Sequence, residues 1–288
     1  MRGDKIIRNK LRKLMKKKIV IGLAALGTAV ALVPLFAAFE AHVINVTAKI
    51  ENALLVPVDP IAFGTVFPQE QLERTLPISL SQSFLDEDRV DDVEYIIRQK
   101  PKCGVVHEED GTVNPSWTGH VVVVPVHDAA GQIIGYRYSV DCEKERPINV
   151  PSNEQNPEFY LLPSLCQYLS KHSERVGSDT NGPIYEDGSL ASFHQPFTID
   201  QNNGAILWND VGGRLAKSVN DILDTWTIDL KVPCFGGYCA QDWEKYVTDI
   251  NPNANPAEYT QPIGNEHKVF GCNLWVEVKG VSETPIED

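Results

Sequence analysis

The sequence predicts an all-β fold, an immunoglobulin-like or jelly-roll β-sandwich with disulfide-stapled loops and one short helix, behind an N-terminal hydrophobic leader helix. Short runs of β-branched and alternating apolar residues recur between clusters of Pro, Gly, Asn and Asp, which is the rhythm of strands and turns. All six cysteines lie downstream of an uncharged stretch, Ile19 to Ala38, as an exported and oxidised domain requires. Only one segment, Ala240 to Ile250, keeps a helical period.

The leader comes first in the chain. Nine of the 26 basic residues fall within residues 1–38, with Asp4 as the one acid there, and they flank IVIGLAALGTAVALVPLFAA on its N-terminal side. That asymmetry keeps the N-terminus in the cytoplasm and exports the C-terminal remainder of the chain. The stretch is long enough to act as a membrane anchor through residues 19–38, while Gly22, Gly27 and Pro34 weaken it as a permanent helix. Cleavage among the small residues between Phe36 and Ala41 is the other outcome. The expected organisation is a leader over 1–38, an exported domain over 39–281 and a polar tail over 282–288. Without the leader, 17 basic residues face 38 acidic ones, a formal charge of −21. So acidic a surface argues against nucleic acid and anionic lipid head groups as partners.

The lysine-rich flank, the Gly/Ala-rich core, Ala37-Ala38-Phe39-Glu40 and the β-prone run after it resemble the leader of the TasA and camelysin group, exported β-sandwich proteins processed by a dedicated signal peptidase. The likeness covers Lys16 to Asn52. It implies that the first strand, His42 to Ile50, can enter a neighbouring subunit and build a filament by strand exchange. Pairing within its own domain is the alternative. The body, with FGTVFPQE, ISLSQSF, IIRQKPKC, GRLAKSVNDILDTWTIDLKVPCF and FGCNLWVEV, is similar to uncharacterised exported proteins of uncultivated bacterial lineages, a similarity that implies no activity.

Beyond His42 to Ile50, whose Asn45-Val46-Thr47 matches the glycosylation sequon, the pattern gives strands at Leu54 to Val58 and Ile61 to Phe67, separated by Asp59-Pro60. Leu76 to Phe84 and Val93 to Gln99 alternate as half-buried strands joined by an acidic hairpin loop. Gly119 to His127 is a continuous apolar run that suits a strand covered on both faces, paired in a hairpin with Gln132 to Val140. Residues 143–209 are the least regular, with short candidates at Phe159 to Leu162, Cys166 to Leu169 and Phe197 to Ile199. Trp226, Ile228, Leu230 and Val232 then alternate with Thr227, Asp229 and Lys231, the clearest amphipathic strand in the chain. Val269 to Val278 closes the domain.

Cys103, Cys142, Cys166, Cys234, Cys239 and Cys272 predict three disulfides. They fall into two groups of three, so one bond should join the groups. Cys234 with Cys239 would close the CFGGYC loop, and Cys239 with Cys272 would also serve. A zinc site is the competing use, weakened by the Cys-x4-Cys spacing. Asp86, Asp88, Asp91 and Asp92 supply oxygen ligands dense enough for calcium, without the regular loop spacing or its glycine. His120 and His127 are poorly spaced to share a metal.

Motifs for nucleophilic, zinc or nucleotide chemistry are absent, and no cofactor other than calcium is implied. The most enzyme-like set is Asp187, His194 and Ser189 or Ser192, a trio any chain of this size yields. The reading is therefore a non-enzymatic exported surface or extracellular structural protein, self-associating into filaments. A glycan- or calcium-binding module, using the acidic loop or exposed Trp117, Tyr185 and Trp208, is the alternative, and a secreted hydrolase the third.

Overall fold

The computed structural model describes residues 49–106, 113–145, 160–173 and 188–283, together with Lys17. The chain divides into units Met1–Ile50 and Glu51–Asp288, and every strand and helix from β1 to β15 belongs to the second. The leader apart from Lys17, the sequon and nearly all of the His42 to Ile50 strand lie outside the described residues. Among those described, no helix is long and apolar enough to cross a membrane.

The elements are β1 (Leu54–Leu55), β2 (Gln71–Leu80), α1 (Gln82–Leu85), β3 (Val90–Lys100), β4 (Lys102–Val106) and β5 (Val113–Thr118). Next come β6 (His120–His127), β7 (Ile133–Asp141), β8 (Tyr160–Leu161), β9 (Leu169–Ser173), β10 (Ser189–Leu190), β11 (Phe197–Ile199) and β12 (Ile206–Trp208). The chain continues through β13 (Val211–Ala216), β14 (Leu223–Lys231), α2 (Trp243–Ile250) and β15 (Asn273–Glu283). The fold is all-β. One sheet runs β1-β2-β14-β9-β10 and a second runs β13-β3-β15, each antiparallel throughout.

The alternation in β14 sends Trp226, Ile228 and Leu230 inward, where they sit opposite Leu76, Arg74 and Leu72 of β2. From the second sheet Val93, Tyr95 and Ile97 of β3 and Val211 and Leu215 of β13 join the same core. Two sheets sharing one apolar interior make a sandwich. Gly213 of β13 is required by this packing, because a Cβ there would collide with the Tyr95 ring.

Three small sheets surround the sandwich: β5-β4-β8, the hairpin β6-β7 and the hairpin β11-β12. Cys103 on β4 bonds Cys142 just beyond β7, and buried Trp117 packs on that disulfide. Gly119 sits so close to it that a Cβ would lie 2.8 Å from Cys103 Sγ. Cys166–Cys272 ties the turn before β9 to the residue before β15, and so joins the two cysteine groups. Cys234–Cys239 closes CFGGYC. All six cysteines are used.

Several elements depart from the sequence reading. Ile61 to Phe67 forms no strand: Gly64 takes positive φ within the run, while Ile61, Phe63 and Val66 pack against the core as a loop. The strand expected over Leu76 to Phe84 starts earlier, at Gln71, and stops at Leu80. Ser81 Oγ accepts from Phe84 N at 3.1 Å and starts the α1 turn, which buries Phe84. The acidic stretch is no hairpin loop, since β2 and β3 belong to different sheets and the chain crosses between them. β6 is half-exposed rather than covered on both faces, and among the described residues it pairs only with β7. The helix begins at Trp243, and the last strand runs from Asn273 into the expected tail, to Glu283.

Candidate functional site

The four acids read as calcium ligands do not converge. Asp91 and Asp92 are neighbours on β3, so they project to opposite faces of the sheet. Asp91 accepts from Ser218 N at 2.9 Å and Ser218 Oγ at 2.7 Å, whereas Asp92 pairs with Arg214 and accepts from Ser282 N at 3.2 Å. Asp86 accepts from Gln82 Nε2 at 2.7 Å, and Asp88 is exposed. Between them Glu87 is held down at about 2 by hydrogen bonds from Arg89. Among the described residues no three His, Cys, Asp or Glu side chains gather to hold a metal. His120 instead meets Glu145 at 2.6 Å.

Of the aromatics expected on the surface, Trp117 is buried and donates its indole N–H to Cys142 O. Trp208 lies beneath the guanidinium of Arg98, which Asp210 grips at 2.8 Å. Tyr185 and Asp187 lie outside the described residues.

His194, the base of the enzyme-like trio, is buried. Its Nδ1 is 2.8 Å from Ala191 O and its Nε2 is 2.6 Å from Gln99 Oε1, while Gln99 Nε2 donates to Cys166 O at 2.9 Å. Burial, reinforced by repulsion from Lys171, lowers His194 to about 3. A ring with a single proton can donate to only one of those oxygens. Both nitrogens are engaged by groups other than Ser189 and Ser192, so the trio does not assemble.

A different grouping forms where β9 meets β10 and β14. Antiparallel pairing sets Lys171 opposite Ile228 and Ser170 opposite Asp229, and Leu190 of β10 opposite Lys171. Lys171, Ser170, Ser192, Asp229 and Lys231 line a groove of about 440 Å³. Lys171 and Ser192 are completely buried, and Ser170 and Asp229 nearly so. Ser170 Oγ, Lys171 Nζ, Ser192 Oγ and Asp229 Oδ1 have no hydrogen-bond partner among the described residues, but the register puts Lys171 with Ile228 on the inward face of the sheet and Ser170 with Asp229 on the opposite face. Burial lowers Lys171 from the usual lysine range to about 7, with Asp210 opposing the shift. The sequence reading missed Lys171. In LSKHS the alternation marks two faces but does not say which is inward, and only the register with β14 does.

The sheet edges are the other feature that can engage a partner. β2 has ten residues, but β1 covers only Ser79 and Leu80, leaving the rest of that edge without a strand among the described residues. Pro77 interrupts it. β15 offers eleven residues, none of them proline, and among the described residues pairs only with β3.

The chain matches no protein-family model, curated protein or solved structure.

Proposed function

We propose that this chain is an exported cell-surface or extracellular structural protein whose copies join by strand addition. The segment His42 to Ile50 of one copy is the donor, and the outer edge of β15 in the next is the acceptor. The observation that carries this reading is the β15 edge, whose backbone groups from Asn273 to Val278 run without proline or bulge before the register shift at Gly280. Such an edge is a template for another strand. β2 is the poorer acceptor, because Pro77 has no N–H to give an incoming strand. The three disulfides are consistent with an oxidising environment outside the cytoplasm.

The test is the size distribution of purified protein beginning near Phe39, by negative-stain microscopy and light scattering, beside a variant lacking residues 42–50. Fibres in the first and monomers in the second are expected. A protein that stays monomeric at high concentration with residues 42–50 intact overturns the proposal.

A further inference from the structure

Beyond assembly, the outward face of the first sheet carries a groove whose floor is polar and unsatisfied. Ile228 and Leu230 of β14 point into the core, so Asp229 and Lys231 point away from it, and the β9 register sets Ser170 beside Asp229 on that same outward face. Residues paired directly across antiparallel strands hold their Cβ atoms about 4.5–5.5 Å apart, so one small molecule reaches both side chains. Ser170 and Asp229 are nearly buried, yet Ser170 Oγ and Asp229 Oδ1 have no hydrogen-bond partner among the described residues. Buried polar atoms in folded proteins are almost always hydrogen-bonded, and an exception requires an explanation.

The helix α2 walls this floor on one side. Its Ile250 lines the groove together with Ser170 and Asp229, and its Tyr246 hydroxyl is pushed up to about 12 by burial and by the charge of Asp229. Ala191, on the segment after β10, supplies a second apolar contact. The charge on the floor is already matched. Asp229 Oδ2 lies 2.6 Å from Lys231 Nζ, which also donates to Gln71 Oε1 at 2.6 Å. What remains is Oδ1, an acceptor that calls for an uncharged donor, and a serine hydroxyl that donates or accepts. A polar floor beside an apolar wall suits a molecule with hydroxyls on its edge and C–H groups on its face. A pyranose ring has that form, and a groove of about 440 Å³ admits one.

We propose that this groove binds a neutral sugar, a hexose ring free or at the end of a glycan, with hydroxyls on Asp229 Oδ1 and Ser170 Oγ and a C–H face against Ile250. Water is the competing occupant, since each water takes only about 30 Å³ and bonds to the same atoms.

The test is titration calorimetry on the exported chain with D-glucose, D-galactose and D-mannose, each also followed by saturation-transfer NMR. Saturable binding of at least one hexose is expected, with transfer to its ring C–H protons. Asp229→Asn should weaken that hexose about tenfold, as loss of a hydrogen bond to a charged acceptor does. Circular dichroism verifies that this variant folds. Ser170→Ala removes only a hydroxyl that has no partner among the described residues, should weaken the same hexose severalfold, and decides the matter if Asp229→Asn does not fold. No saturable binding of any of the three hexoses, or unchanged affinity in Ser170→Ala or in folded Asp229→Asn, would overturn the proposal and leave the groove to water.

Discussion

Trp226 on β14 donates its indole N–H to the hydroxyl of Tyr95 on β3, 2.7 Å away, joining the two sheets through two of their most buried side chains. The Tyr95 hydroxyl in turn donates to Asp224, itself only 2% exposed. Tyr95→Phe keeps the ring and removes the acceptor of the Trp226 N–H. Leaving such a donor unmet in a core costs about 1–3 kcal/mol. Urea unfolding should show a lower midpoint with an unchanged slope, and a midpoint equal to wild type would mean that the pair contributes nothing.

The disulfides should differ in worth because they close loops of different length. Cys166–Cys272 spans a sequence separation of 106 and Cys234–Cys239 one of 5. By chain entropy the first contributes about 4–5 kcal/mol and the second about 2. The double serine variant at 166 and 272 should therefore lose more thermal stability than the one at 234 and 239. The reverse order would show that strain or unfolded-state structure outweighs loop length.

Lys171 sets a dependence on pH above neutrality. Its folded pKa, about 7, lies below the usual 10.5, so between those values the unfolded chain holds a proton that the folded chain lacks. The burial penalty is fully present below pH 7 and fades as pH rises toward 10. Lys171→Met should accordingly be more stable than wild type at pH 6, by an amount on the order of 4 kcal/mol at most, with the advantage shrinking by pH 10. An advantage that does not change with pH would show that Lys171 titrates normally.

His194 acts at the acid end. With its folded pKa lowered to about 3 from 6.5, the unfolded chain takes up a proton first, and stability is lost as pH falls through that window. His194→Gln should flatten the stability profile between pH 6.5 and 3. An equally steep profile in the variant would assign the acid sensitivity to other groups.

How far the sequence could be read depended on whether a residue's role was local. Trp226, Ile228 and Leu230 announced an inward face by period alone, and the structure buries all three. The cysteine grouping required one bond between groups, which Cys166–Cys272 supplies, and of the two closures the spacing offered, Cys234–Cys239 and Cys239–Cys272, the structure forms the first. By contrast, Ile61, Phe63 and Val66 have the composition of a strand, yet the positive φ at Gly64 interrupts the run and they pack against the core as a loop. Ser81 looked like one more polar position in an alternating strand, and its hydroxyl made it a helix cap. Trp117 gave no local sign of burial, because its cover is a disulfide closed from residue 142. The burial of Lys171 beside Ile228 follows only from the pairing of β9 with β14, which links positions far apart in the chain.

Hydrogen exchange on the backbone amides of Asn273 to Val278 reads strand addition at β15 without an intermediary. Protein beginning near Phe39 is compared at low and high concentration with the variant lacking residues 42–50. With β15 as the acceptor, its outward amides become protected in assembled wild-type protein and stay unprotected in the variant. Assembled particles whose β15 amides exchange as fast as those of the monomer would place the joint between copies elsewhere and refute strand addition at this edge.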